Sequence, residues 1–162
     1  MPGNVTAICP GTFDPVTVGH LDIITRASHV FGRVIVAVAA VAGKEPMFGF
    51  EDRVAMAREA VEGLPNVEAE GFSGLIVDFA RSRGASVLVK GLRVVSDFEH
   101  ERQMALMNSE LAPDMETVFM FTSVENIYVS SSLVRQVAGL GGDVTRFVPP
   151  GVLPRLREKF RA

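Results

Sequence analysis

The chain has 162 residues, of which 48% are hydrophobic, enough for one domain over residues 1–162 with a substantial core. Sixteen Lys and Arg against 19 Asp and Glu leave a net charge of −3 without runs of like charge, which argues against general nucleic-acid binding. The single cysteine, Cys9, rules out an internal disulfide and fits a reducing compartment. We see no secretion signal and no apolar run of membrane-spanning length, so we expect a cytoplasmic protein without membrane attachment.

Predicted strands and helices alternate along the chain. Apolar and β-branched runs indicate strands, and apolar residues at helical spacing indicate helices. Repeated β-α units predict an α/β fold, a Rossmann-like, doubly wound, five-stranded parallel sheet with helices on both faces. In chain order we predict a strand at 5–8, helix at 19–31, strand at 33–40, helix at 50–61, strand at 67–72, helix at 75–83, strand at 86–89, helix at 97–111, strand at 116–121, and helices at 130–140 and 152–160.

Ligands of such a sheet bind beyond the carboxyl ends of its strands, which directs attention to the loops there. The first loop runs from Cys9 to Gly19 and ends where a helix begins at His20. Gly11 allows close backbone approach, Thr12 supplies a hydroxyl, and a helix N-terminus presents N–H groups that favour anions. A phosphate site is one interpretation; a tight turn punctuated by Gly and Pro is the other. The candidate loops are 9–19, 40–49, 72–75, 90–96 and 122–131.

Three later loops carry groups that suit an anion. Lys44 follows the second predicted strand, and the sequence Lys-Gly-Leu-Arg at 90–93 follows the fourth. Three serines at 130–132 open a helix, where serine both caps the helix and offers donors to phosphate. Taken singly, these features also fit an exposed lysine, a solvated basic turn and an ordinary N-cap.

Other catalytic signatures are missing from the sequence. It contains no GxxxxGK[ST] or GxGxxG phosphate loop, no HExxH or GxSxG motif and no Cys/His cluster for zinc.

The first loop and the later landmarks together resemble a known family. GTFDPVTVGH, residues 11–20, resembles the (H/T)xGH signature of the nucleotidyltransferase superfamily. With Lys44 and PMF at 46–48, KGLR at 90–93, DFE at 97–99 and SSS at 130–132, nearly the whole chain resembles the bacterial phosphopantetheine adenylyltransferases. The resemblance implies reversible adenylyl transfer from ATP to 4′-phosphopantetheine, giving dephospho-coenzyme A and pyrophosphate. It also implies a homohexamer.

The resemblance further implies roles for individual residues. The catalytic group would be Thr12, His20, Lys44 and Arg93. The ATP side would comprise Thr12, Phe13, His20, Gly91, Leu92, Arg93, Glu101, Asn126, Ile127, Tyr128, Val129, Ser130, Ser131 and Ser132. The 4′-phosphopantetheine side would comprise Thr12, Lys44, Ile76 and Lys90.

Two expectations concern other ligands. Mg²⁺ would be held mainly by ATP phosphates and water, as magnesium prefers, without a carboxylate cage. Coenzyme A contains the product's skeleton, so we expect it to compete at the same pocket as a feedback ligand.

Several residues depart from the family pattern. Lys90 stands where arginine is common, Val18 where asparagine is common, and His100 where tyrosine is common. Asn126 replaces a frequent aromatic residue and Ile76 a frequent methionine. We interpret His29 and His100 as residues without a catalytic role, and Met104 and Met107 as packing in the core or a subunit interface.

Two other functions stay open from the sequence. One is a different enzyme of the superfamily, with a nucleophile such as nicotinate mononucleotide or glycerol phosphate. The other is a nucleotide-binding or regulatory module without catalytic activity. The retained His20, Thr12, Lys44 and Arg93 argue against that module.

Overall fold

The computed structural model describes residues 3–41 and 45–161. Its secondary structure follows the predicted alternation of strands and helices. The elements are β1 Gly3–Gly11, α1 Val18–Val30, β2 Phe31–Ala39, α2 Phe50–Val61, β3 Val67–Phe72, α3 Ile76–Ser82, β4 Val87–Leu92, α4 Val95–Leu111, β5 Glu116–Phe121, a 3₁₀ turn Val124–Asn126, α5 Ser131–Gly139 and α6 Val152–Phe160.

The largest errors in the predicted bounds lie at the ends of β1 and β4. We placed these ends at residues 8 and 89, but the strands continue to Gly11 and Leu92. Pro10 and Gly11 are poor strand formers, yet they pair in register with β2. The Lys-Gly-Leu segment at 90–92 pairs likewise with β5. Pairing with a neighbouring strand therefore overrides local propensity at both ends.

The five strands form one parallel sheet in the order β3-β2-β1-β4-β5. The chain builds outward from β1 through β2 to β3, and then returns to add β4 and β5 on the other side of β1. The direction of winding therefore reverses between β1 and β4. A crevice opens at such a reversal, beyond the carboxyl ends of the two strands.

Helices cover both faces of the sheet, as predicted. Cys9 of β1 belongs to a core with residues of α1, α2, α5 and α6, including Ile24, Met56 and Leu156. Its neighbour Ile8 points to the opposite face and packs in a second core with Val77 of α3. Successive strand residues face opposite sides of a sheet, so this separation of neighbours shows a doubly wound fold.

Within residues 3–41 and 45–161, the structure contains no helix long and apolar enough to cross a membrane.

Candidate active site

A cavity of about 690 Å³ lies at the reversal between β1 and β4, within the size range of ligand pockets. The end of β1, the start of α1, the end of β4, one face of α4 and the start of α5 line it. Three of the candidate loops predicted from the sequence, 9–19, 90–96 and 122–131, contribute to this cavity, and the sheet topology brings them together.

The turn after β1 forms one wall of the cavity. Phe13 is 4% exposed and adopts a φ of +51°, a left-handed conformation that is rare for residues other than glycine. Its ring packs edge-to-face against the imidazole of His20, with 4.9 Å between the ring centroids. The turn thus provides one side of the pocket that holds the imidazole.

The first turn of α1 fixes the orientation of His20. Thr17 is the N-cap residue: its Oγ1 accepts a hydrogen bond from the His20 backbone N–H at 3.4 Å. In return, the Thr17 backbone N–H donates to His20 Nδ1 at 3.0 Å, which completes a capping box. An amide N–H can only donate, so Nδ1 must be the unprotonated nitrogen. In the neutral ring the proton is then on Nε2, which makes Nε2 a hydrogen-bond donor.

The surroundings of His20 keep it neutral. Burial of the imidazole and, secondarily, the positive charge of Arg93 lower the pKa of His20 from 6.5 to about 4. Both causes disfavour the charged form. At neutral pH, His20 is therefore a hydrogen-bond donor without a full charge.

Two cation–carboxylate pairs form the opposite wall. Lys90 Nζ lies 3.2 Å from Glu101 Oε2, and Arg93 Nε lies 3.5 Å from Asp97 Oδ2. Asp97 Oδ2 also accepts a hydrogen bond from the Arg93 backbone N–H at 3.1 Å, so α4 supports the basic end of β4. Glu101 Oε2 is buried and makes no hydrogen bond within the described part of the chain, which leaves the Lys90 ammonium to balance its charge.

The start of α5 closes the cavity with hydrogen-bond donors. Ser130 is the N-cap, and its Oγ accepts a hydrogen bond from Leu133 N–H at 3.1 Å. Ser131 Oγ donates to the Pro15 carbonyl at 2.8 Å, which ties this helix to the turn after β1. The first N–H groups of a helix lack partners within it, and together with the helix dipole they favour an anion.

Comparisons with known proteins show which family the chain belongs to. Residues 8–137 match the cytidylyltransferase-like family. A phosphopantetheine adenylyltransferase from Methylococcus capsulatus is 54% identical over 157 residues, which is 97% of each chain. Proteins of the same name from Nitrosomonas eutropha and Thioalkalivibrio sulfidiphilus are also 54% identical, over 94% and 97% of this chain and 93% and 99% of theirs.

The chain is a phosphopantetheine adenylyltransferase family member. The resemblance found in its motifs is thereby confirmed.

A solved structure confirms the fold of this family member at a greater evolutionary distance. A Vibrio parahaemolyticus protein with the provisional name nicotinate-nucleotide adenylyltransferase superposes with a TM-score of 0.72 at 18% identity, over 97% of this chain and 96% of its own. At that identity the likeness concerns the fold.

The structure of this family member places most of the predicted site residues around one cavity. The predicted residues that line it are Thr12, Phe13, His20, Lys90, Gly91, Arg93, Glu101, Val129, Ser130, Ser131 and Ser132.

Of the other six predicted residues, the five that the structure describes are not among those lining the cavity. Lys44 lies outside the described residues. Ile76 starts α3 and packs against the second core, while Leu92 is buried at 3% exposure. Asn126, Ile127 and Tyr128 belong to the connection before α5, and the Asn126 side chain donates to Ser123 Oγ at 3.0 Å.

Sequence reasoning missed some lining residues. His100, which we interpreted as a residue without a catalytic role, lines the cavity together with Ser96. Ser96 and His100 lie four residues apart on α4, each next to one of the pair Asp97 and Glu101 that shares a face, so helical spacing could have indicated them. Thr17 was quoted within the signature but not assigned a role. Its position just before the predicted helix was a usable N-cap signal.

The prediction for the α4 methionines is wrong in its first part. Met104 and Met107 are 44% and 59% exposed and do not belong to the core. Asn108 is the single fully buried residue of this helix, whose side chains cover little of the sheet.

Proposed function

We propose that this chain transfers an adenylyl group from ATP to 4′-phosphopantetheine, giving dephospho-coenzyme A and pyrophosphate. One observation carries the proposal: a neutral histidine donor, two cations and a helix N-terminus converge on one cavity at the reversal of the sheet. This combination suits a polyphosphate whose charge is redistributed during the reaction. Full-length relatives with the matching name support the choice of acceptor.

The reaction proceeds as an in-line displacement. An oxygen of the 4′-phosphate attacks the α-phosphorus of ATP and forms a P–O bond, while the bond to the β-phosphate breaks and pyrophosphate leaves; attack by pyrophosphate reverses the step. No covalent enzyme intermediate is required. Cys9, the thiol at the cavity, is 4% exposed, and burial raises its pKa from 9.0 to about 12, so it is not an activated nucleophile.

Catalysis then rests on positioning and charge stabilisation. His20 Nε2–H would donate to the α-phosphate as charge develops there. Arg93 and the N-terminus of α5 would hold the β- and γ-phosphates, and Thr12 and Lys90 would orient the incoming 4′-phosphate. Lys44, which lies outside the described residues, is proposed for the same acceptor phosphate.

We propose that Mg²⁺ enters with ATP as part of the substrate. The carboxylates at the cavity, Asp97 and Glu101, are paired with Arg93 and Lys90. The described residues contain no group of three or more His, Cys, Asp or Glu that could hold a metal ion. This donor set fits an ion coordinated by phosphate oxygens and water, which is the coordination magnesium prefers.

The cellular context belongs to the same proposal. We propose a cytoplasmic enzyme that assembles as a homohexamer and binds coenzyme A as a feedback ligand at the same pocket. The apolar side chains of α4 support self-association, since Leu106, Met107 and Leu111 are about half exposed or more. Light scattering would measure the oligomer, and displacement of 4′-phosphopantetheine by coenzyme A would measure the competition.

The deciding experiment is pyrophosphate release from ATP and Mg²⁺ with 4′-phosphopantetheine, together with mass-spectrometric detection of dephospho-coenzyme A. Nicotinate mononucleotide and glycerol phosphate, each with ATP or CTP, serve as competing acceptors. Release with 4′-phosphopantetheine, and with none of the competing acceptors, supports the proposal. Release with a different acceptor would reassign the substrate, and binding of ATP without turnover on any acceptor would indicate a module without catalytic activity.

A further inference from the structure

Arg53 of α2 is a charged side chain inside the core. It is 2% exposed and ranks first by volume among the fully buried side chains of the described residues. Its guanidinium donates to three backbone carbonyls: Nε to Phe48 at 3.1 Å, and Nη1 to Thr12 at 2.7 Å and Ala39 at 2.8 Å. Burying a charge is costly unless it is fully hydrogen-bonded. The three bonds offset that cost and connect the backbone segments that contain Thr12, Ala39 and Phe48.

Asp14 is a second buried charge beside the same carbonyls. It is 6% exposed, and its carboxylate accepts hydrogen bonds from the backbone N–H groups of Met47 and Phe48, both at 2.9 Å. Arg135 of α5 lies 3.5 Å from Asp14 Oδ2, and its Nη1 donates to the Asp14 carbonyl at 2.5 Å. The negative charge of Asp14 also opposes the lowering of the Arg53 pKa that burial causes.

The two side chains connect the same two segments through opposite hydrogen-bonding groups. Arg53 donates to a carbonyl of the turn after β1 and to a carbonyl of segment 45–49. Asp14 belongs to that turn, and its carboxylate accepts from N–H groups of the segment. Phe13, between Thr12 and Asp14, has a φ of +51°. A residue of this type keeps such a conformation when its surroundings over-determine it, and these bonds supply that restraint.

We propose that Asp14 and Arg53 are positioning residues, which hold the turn of Thr12 against segment 45–49 and so fix the geometry in which Thr12 receives the acceptor phosphate. The proposal rests on the adenylyl transfer proposed above. It adds two residues that act through others, since neither is among the side chains lining the cavity.

The contacts on the ATP side are held by other means. Asp97 supports Arg93, Thr17 orients His20, and Ser130 caps α5. The turn of Thr12 also touches the nucleotide side, through Phe13 on His20 and through the Ser131 bond to Pro15, so loosening it should weaken acceptor binding more than nucleotide binding. A general loss of structure would instead weaken both equally.

Asp14→Asn tests this with almost no change of shape. The amide presents an NH₂ group to one of the two backbone N–H donors, so one of the two hydrogen bonds is lost. We expect the KM for 4′-phosphopantetheine to rise roughly 10- to 100-fold, the scale of a small misplacement at a reacting centre. We expect the Kd of a non-hydrolysable ATP analogue, measured by calorimetry, to rise by clearly less, at most about threefold, because Asp97 and Thr17 still hold Arg93 and His20.

Asp114→Asn is the matched control. It makes the same chemical change at an exposed carboxylate that pairs with Arg81 away from the cavity, and it should alter neither constant. Arg53→Lys keeps the charge but cannot reproduce the planar fork, and it should show the same selective loss as Asp14→Asn.

If the two buried variants do not fold, Arg135→Gln decides, because Arg135 is only partly buried and its change removes the contacts to Asp14. Arg135 also donates to Ser132 Oγ, so Ser132→Ala is measured beside it to give the loss that comes from that bond alone. A selective rise in the KM for 4′-phosphopantetheine supports the proposal. Unchanged constants, or equal losses for both substrates, overturn it. Failure of the wild-type chain to release pyrophosphate would instead refute the proposed function, so the two failures are distinguishable.

Discussion

The geometry of His20 leads to a prediction about one hydrogen-bond donor. With Nδ1 occupied by the Thr17 amide, Nε2–H is the donor available to the α-phosphate. Replacement by alanine removes it without touching Arg93 or the start of α5. We expect kcat to fall by roughly 10²–10³, or about 2.7–4 kcal/mol, the scale of one lost oxyanion donor, while affinity for an ATP analogue stays nearly constant.

Two further substitutions separate the two ring nitrogens. An asparagine amide reaches about as far as Nδ1, and a glutamine amide about as far as Nε2. His20→Gln should therefore keep part of the activity, whereas His20→Asn should resemble His20→Ala. His29→Ala changes an exposed histidine at the end of the same helix and serves as the control, with wild-type kinetics expected.

The pH dependence follows from the lowered pKa of His20. A neutral donor with a pKa of about 4 gives a kcat that does not respond to His20 between roughly pH 5.5 and 8 and falls only on further acidification. A histidine acting as imidazolium would lose activity as pH rises through 6.5. The free energy of unfolding also falls on acidification. The pKa of His20 is 6.5 in the unfolded chain and about 4 in the folded chain, so the unfolded chain binds the proton first and stability falls as the pH drops from 6.5 to 4.

The assay is pyrophosphate release under saturating substrates across pH 5–8, with chemical unfolding in parallel. Equal kcat for His20→Ala and wild type would refute the donor role. Loss of activity with a midpoint near 6.5 on raising the pH would refute the neutral tautomer.

The remaining predictions concern stability and reactivity. Thr17→Val removes the N-cap oxygen and should lower the free energy of unfolding, measured by chemical unfolding, by about 1 kcal/mol. Its kcat should change only a few-fold, because the imidazole of His20 keeps its bond to the backbone amide of residue 17. A loss of kcat as large as that of His20→Ala would contradict this. Gly32→Ala would place a methyl group against the carbonyl oxygen of Gly3 and should destabilise by about 1–3 kcal/mol in thermal melts, whereas Gly63→Ala, with no atom near the new methyl group, should be neutral or slightly stabilising. Cys9 is buried with a pKa of about 12, so iodoacetamide at pH 8 should label it only after denaturation; rapid labelling of native protein, detected by mass spectrometry, would show that the thiol is accessible.

The sequence predicted the layout of the fold because its signals there are local. Phe50–Val61 and Val67–Phe72 have the predicted bounds, since apolar spacing and acidic residues at the helix start act over a few residues. The alternation of such elements implied a parallel sheet and located the loops at its carboxyl edge. The ends of β1 and β4 were predicted too short, because their last residues are strand only through pairing with β2 and β5.

The candidate site likewise combines residues that the sequence predicted with properties that depend on the folded structure. The motifs named His20 and Arg93, whereas the tautomer and lowered pKa of His20 depend on a hydrogen bond, burial and a cation that the folded chain brings near. His100 was dismissed because a lone histidine in a charged segment has no local signal.

By itself, then, the sequence determined the family, the order of elements and the loops that meet at the pocket, since these follow from short-range patterns. Only the tertiary structure decided that Arg53 and Asp14 are buried against the turn after β1. A charged residue in an amphipathic helix is normally expected to face solvent. The burial of Arg53 depends on the carbonyl groups of Thr12, Ala39 and Phe48. Thr12 and Ala39 are distant from Arg53 in sequence and come near it only once the sheet has formed.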